Sequence, residues 1–377
     1  MPWGRRAVKH YLPASHPPRR EQSPGGVVRT RALGNALLAM PRPLARAALL
    51  LVLAGCAADV GSATQPVVYD VDDRLDVFEH PDATLRALAR DAVVAFVPRD
   101  AVDDADPTNI QLVGERYADA FDLCEDVRFA DQLTPAACSG TLIDEDLVLT
   151  VGHCVPDQAT CEGYRFVFDH LLEAEGTVAT VEADDVYDCA EVVMHRGGAD
   201  VAVVRLDRPV VGRTPAPVRP GQTFLAPGDP VAMIGFGAGL PAKIDDGGVV
   251  LEGRVGESFF VASVDAFGGN SGSGVFDAEG RVVGMLSSGL DDFVYDGACG
   301  RVNVIEAPDS SAGDGETIAY AWKAMHALCR EDVDTELCAE PASWCLDCDD
   351  GCAAAPARHG AGLALPLLAA LLLRRRR

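Results

Sequence analysis

The sequence predicts an all-β protein that closes with one helix. Three observations carry this expectation. Short valine-rich runs recur along the middle of the chain, each bounded by Gly, Pro, Asp or Asn. Glycine (37) and proline (24) are frequent enough to supply many turns. Helical spacing of apolar residues is clearest at Thr317 to Cys329, TIAYAWKAMHALC, late in the chain.

The strand signals follow in order. Ala92 to Val97 is an apolar run of strand length. Gly140 to Ile143, the acidic turn Asp144-Glu145-Asp146, and Leu147 to Val151 read as a hairpin. Val201 to Leu206, Val231 to Phe236, Phe259 to Val264 and Arg281 to Leu286 continue the series. No internal repeat has a fixed period.

Charge excludes some classes of partner. The chain has a formal net charge of −25, and both ends are basic, so the body is more acidic still. Such a surface repels nucleic acid and anionic lipid. Acidic loops such as Asp291-Asp292 match no calcium-loop pattern. Cys345 and Cys348 form one CxxC, but no second pair completes a zinc set, and no HExxH occurs. No metal and no cofactor are implied. The twelve cysteines are mostly far apart in loop-like sequence, which suits disulfides in an oxidising compartment.

The two ends read as addresses. Residues 41–56, PRPLARAALLLVLAGC, have a basic start and an apolar core too short for a bilayer, which needs about 20 residues. The closing Leu53-Ala54-Gly55-Cys56 resembles the lipobox of bacterial lipoprotein signals, which implies lipidation at Cys56. An ordinary secretory signal is the alternative. Met40 is read as the start, with residues 1–39 as an extension. The other end, GAGLALPLLAALLLRRRR, joins an apolar stretch to four arginines. With Cys352 it resembles a myxobacterial-type C-terminal sorting tail, and a plain membrane anchor is the alternative. Between the ends, residues 57–66 read as a linker, 67–329 as the globular domain, 330–357 as a cysteine-rich acidic stalk and 358–377 as the tail. The expected location is extracellular or on the outer membrane of a Gram-negative-type cell, with membrane contact through lipid or tail. Ten cysteines remain once Cys56 and Cys352 are set aside, and their pairing does not follow from sequence.

The stretch GGNSGSGVF, Gly268 to Phe276, poses the functional question. Ser271 is either a nucleophile on a tight turn or part of a glycine-rich spacer. A serine hydroxyl needs a base, and the base needs a group that fixes its tautomer. Among eight histidines, His153 follows a strong strand between Gly152 and Cys154. Alone it reads sooner as a structural loop histidine. Asp200 directly precedes the run Val201 to Leu206 and is the acid candidate. Alone it fits a turn aspartate.

Together, CSGTLI with LTVGHC, then ADVAVVRL, then GGNSGSGVF resemble the chymotrypsin-like (trypsin-like) serine peptidases, nearest the glutamyl-endopeptidase-like bacterial branch. The resemblance covers roughly Val67 to Cys329. It implies two antiparallel β-barrels with the site in the cleft between them. It implies that His153 is the general base, Asp200 the orienting acid and Ser271 the nucleophile. The N–H groups of Gly269 and Ser271 would form the oxyanion hole, and Cys138 would pair with Cys154. Asp265, six residues before Ser271, would floor the specificity pocket and favour Arg or Lys, unless it only braces its loop. Ser287, Ser288 and Gly289 would pair with substrate backbone. Leu286 stands where glutamate-specific relatives have histidine, which disfavours glutamate. Asn270 replaces the aspartate that receives a freed N-terminal amine in the animal enzymes, and Gly152 replaces a common alanine.

The resulting expectation is a secreted or surface-displayed serine endopeptidase acting on protein or peptide substrates as a monomer. The alternative is a catalytically silent, peptidase-like surface binding module.

Overall fold

The computed structural model describes residues 68–344, apart from 222–224, 254–256, 290, 296, 307, 309–312, 332, 340–343. Cys56, Cys345, Cys348, Cys352, the linker and the C-terminal tail lie outside the described residues.

Among the described residues two large antiparallel sheets, each curled toward a barrel, form the body. The seven-stranded sheet runs Val186–Tyr187, Tyr164–Val167, Val93–Pro98, Cys138–Leu142, Leu147–Thr150, Val201–Leu206 and Cys189–Arg196 in spatial order. The eight-stranded sheet runs Val250–Glu252, Phe259–Ala262, Glu316–Tyr320, Val282–Ser288, Gly274–Phe276, Ala232–Gly235, Lys243–Asp245 and Leu75–Asp76. The all-β expectation holds, and each of the predicted runs contributes a strand.

One element differs. The span read as helical from Thr317 begins as a strand, Glu316–Tyr320, and only Ala321–Leu328 is helical. Thr317 and Ile318 pair on one side with Val261 and Phe260, and Ile318 and Ala319 pair on the other with Leu286 and Met285. Two ladders satisfy that backbone, so pairing overrides the local helical pattern. A second helix, Ala83–Asp91, had no counterpart among the expectations. Asp82 caps it by accepting from Thr84 N and Leu85 N at 2.6 and 3.2 Å.

Large apolar side chains fill both sheets. Phe96 and Phe166 meet edge-on at 4.5 Å in the first, and Phe260 and Tyr320 lie 4.8 Å apart in the second. A smaller cluster of Tyr117, Leu240, Phe267 and Val68 supports the loop that carries Ser271. The sheets meet along Ser139. Its N–H donates to Ser271 O at 2.9 Å, and its Oγ contacts Gly269 O at 2.8 Å and accepts from Phe236 N at 3.1 Å. The carbonyl of Leu142 accepts from Ala216 N at 2.9 Å.

Among the described residues four disulfides are formed: Cys124–Cys299, Cys138–Cys154, Cys161–Cys189 and Cys329–Cys338. The described part of the segment read as a stalk lies against the body. Leu337 packs on the core, and Trp344 is buried, its Nε1 donating to Leu337 O at 2.8 Å. Among the described residues no helix is long and apolar enough to cross a membrane.

Candidate active site

Three loops converge where the sheets meet. His153 follows the strand Leu147–Thr150 and is held from the next residue by the Cys138–Cys154 bridge. Asp200 sits immediately before Val201–Leu206 in a left-handed conformation, with φ +48°. Aspartate tolerates that region better than most side chains. The turn directs its carboxylate back to His153. His153 Nδ1 lies 2.9 Å from Asp200 Oδ2, and His153 N–H donates to Asp200 Oδ1 at 2.9 Å. Ser287 Oγ donates to Asp200 Oδ2 at 2.6 Å.

Burial pushes the Asp200 pKa up, but the donors on His153 and Ser287 outweigh it and hold the carboxyl below the usual carboxylate range. An ionised Asp200 accepts the proton on Nδ1. Nε2 of a neutral His153 is then the basic nitrogen.

Ser271 stands on a turn that only glycine can build. Gly269 and Gly272 have φ of +99° and +86°. A Cβ at Gly272 would fall 2.1 Å from Ser139 O. The turn is braced from within by Asn270, which is buried. Its Oδ1 accepts from Phe267 N and its Nδ2 donates to Ser273 Oγ, both at 3.0 Å. Gly272 N donates to Leu286 O at 2.8 Å, next to the Ser287 that bonds Asp200. One strand therefore ties the serine turn to the acid. Among the described residues, the N–H groups of Gly269 and Ser271 have no protein acceptor.

A narrow cavity of about 130 Å³ opens beside Ser271, lined by Phe267, Ser288, Gly289, Asp292 and Glu316 among others. Asp265 does not line it. That carboxylate is turned away: Oδ1 accepts from Tyr69 N at 2.9 Å, and the Asp265 N–H donates to Asp245 Oδ2 at 2.6 Å. The spacing to Ser271 fixes where the Asp265 backbone lies, but Tyr69 claims the side chain. The acids that face the cavity are Asp292 and Glu316, which sequence reasoning missed. Burial raises both, Asp292 to about 6 and Glu316 well above its ordinary value.

Other contacts were not foreseen. His195 Nε2 lies 3.2 Å from Gly152 O, and a Cβ on Gly152 would sit 2.9 Å from that nitrogen. The glycine there makes room for a second histidine behind His153. A larger cleft of about 780 Å³ lies elsewhere, between Arg128, Leu133, His170 and Pro241, and holds none of His153, Asp200 and Ser271.

Residues 138–285 match the family model of the trypsin-like peptidase domain. The peptidase-domain match begins at Cys138 and spans His153, Asp200 and Ser271. A curated relative, Seminase of Drosophila melanogaster, is 30% identical over 175 residues, 41% of this chain. The chain spans 63% of that relative's length. Among solved structures, a protease from M. tuberculosis in its active form is similar at a TM-score of 0.39 and 12% identity. That match covers 72% of this chain and 92% of the other. A serine endoprotease from Yersinia pestis is similar at 0.39 and 17%, covering 67% and 68%.

Proposed function

We propose that this chain is a serine endopeptidase that cleaves through a covalent acyl-enzyme on Ser271. The observation that supports it best is the bond from His153 Nδ1 to Asp200, made beside a serine held on a two-glycine turn. In the first step Ser271 Oγ attacks the peptide carbonyl carbon while His153 Nε2 takes the hydroxyl proton. Asp200 holds the tautomer and stabilises the imidazolium. The carbonyl oxygen becomes an oxyanion and accepts from the free N–H groups of Gly269 and Ser271. One such donor is worth about 10²–10³ in rate. The C–N bond then breaks, and His153 returns its proton to the leaving amine. Water attacks the ester by the same route in reverse roles, releasing the acid and restoring Ser271.

Substrate backbone would add as a strand along Ser287, Ser288 and Gly289. The preferred residue before the scissile bond would be Arg or Lys, because the two charged groups lining the adjoining cavity are both acids. The four disulfides suit work outside the cytoplasm, and Cys56 is the candidate lipid anchor.

Turnover of a mixed fluorogenic peptide library by the full-length protein tests the reading. We expect cleavage that falls at least about 10³-fold in His153→Ala. Cleavage at an unchanged rate in that variant would refute it.

A further inference from the structure

Behind Ser271 the cavity ends on a carboxylate whose pairing is half complete. Glu316 is fully buried at the start of the strand Glu316–Tyr320. The Tyr69 hydroxyl donates to its Oε1 at 2.9 Å. Its Oε2 has no hydrogen-bond partner among the described residues. A buried anionic oxygen without a partner is costly, so it either takes a proton or waits for a cation.

The surroundings favour a cation delivered through the cavity. Gly289 has no side chain, and a Cβ there would lie 1.9 Å from Glu316 Oε2. Its absence makes room for that oxygen against the Gly289 backbone, in the wall of the cavity that Ser271 also lines. Asp292 adds a second acid, with one oxygen already accepting Gly268 N–H at 2.9 Å. No basic side chain lines the cavity among the described residues. The Arg74 guanidinium acts on Asp292 from outside the lining, and its Nη1 has no partner among the described residues. It donates twice to Asp72 at 2.9 Å and stacks 3.9 Å over the Phe267 ring.

We propose that Glu316 is the specificity-determining residue, receiving a substrate Lys or Arg on Oε2 while Tyr69 positions it through Oε1. This rests on the peptidase reading of the same site. It also gives the leading strand a task. Val68–Tyr69 pairs in parallel with Val304–Ile305, and Tyr69 N is anchored by Asp265. Asp265 thereby reaches the cavity through Tyr69, and its charge also bears on Glu316. The Val68–Tyr69 strand thus braces, through Glu316, a pocket whose lining runs from Ala266 to Glu316.

The test uses the full-length protein and a set of peptide amides that differ only in the residue before the scissile bond: Arg, Lys, Gln, Glu or Phe. A small alkyl fluorophosphonate, which carries no side chain for the cavity, reads Ser271 separately. We expect Arg and Lys amides to be cleaved best. In Glu316→Gln the ratio of Arg to Phe cleavage should fall about a hundredfold, and Glu316→Asp should recover part of it. Tyr69→Phe should lower the ratio about tenfold with the ring still in place. Labelling of the wild type with a preference for Gln, Glu or Phe would overturn the proposal while leaving the peptidase intact. So would an Arg preference that survives Glu316→Gln. Absence of labelling in folded wild type would instead remove the peptidase reading on which the proposal stands.

Discussion

Replacing Asp200 with Asn changes one atom and should nearly abolish turnover. Oδ2 accepts from His153 Nδ1 at 2.9 Å and from Ser287 Oγ at 2.6 Å, while Oδ1 accepts from His153 N–H at 2.9 Å. An amide can keep only one of these two faces. If its oxygen stays on the backbone N–H, its NH₂ meets Nδ1 as a donor. The imidazole must then carry its proton on Nε2, where it cannot accept from Ser271. If the amide turns over, its NH₂ faces the His153 N–H, donor against donor, at a cost of about 1–3 kcal/mol. Either way the reactive tautomer is the minor one. The expected loss in kcat is about 10⁴-fold, or roughly 5 kcal/mol of barrier. The assay is the rate of fluorophosphonate inactivation together with kcat on a peptide amide, with thermal unfolding as a control for folding. A folded Asp200→Asn protein that lost less than tenfold would refute the assignment of Asp200 as the tautomer-fixing group.

Other consequences follow from the same contacts. Ser287→Ala removes one charged-acceptor hydrogen bond from Asp200 and should cost about tenfold in kcat with little change in KM. His170 is buried against Phe236, and burial holds its pKa at about 4, below the ordinary 6.5. The fold therefore resists the proton that the unfolded chain takes. That stability is present above pH 6.5 and lost as pH falls toward 4, a difference of about 3 kcal/mol that His170→Gln should largely remove from denaturant titrations across this range. Burial raises Asp265 from 3.8 to about 7. Here the folded state keeps a proton that the unfolded chain has released, so stability falls as pH rises through that window. Asp265→Asn should flatten the slope of thermal midpoint against pH there. Cys124–Cys299 closes a loop of sequence separation 175, and replacing both cysteines by Ser should cost about 5 kcal/mol in the chain-entropy model, read by denaturant unfolding.

Much of the architecture was legible because short apolar runs between turn residues report strands whose neighbours are other strands. Val201–Leu206 is apolar at nearly every position and is bounded by Asp200 and Asp207, so its limits could be read directly. The strand Thr317 to Tyr320 was not legible, because its conformation is decided by partners about 35 and 60 positions earlier. The helix Ala83–Asp91 is polar enough to resemble loop, and only the Asp82 cap marks it.

The site divides in the same way. Ser271, His153 and Asp200 stand in local sequence contexts that the chemistry requires, and the structure brings His153 and Asp200 into contact. The cavity acids were hidden. Sequence spacing located Asp265, but not the direction of its side chain, which a tyrosine 196 residues away determines. Glu316 has no motif around it. Its position follows from a glycine at 289 that leaves it space, and from Tyr69 beyond it. Such groups become visible only when distant strands are placed side by side.

The most direct test of the account is the mass of the full-length protein after reaction with an alkyl fluorophosphonate, with the modified peptide mapped. One adduct is expected, on Ser271, absent in Ser271→Ala and strongly slowed in His153→Ala. A folded, disulfide-bonded protein that takes no adduct, or takes it on another serine, would contradict it.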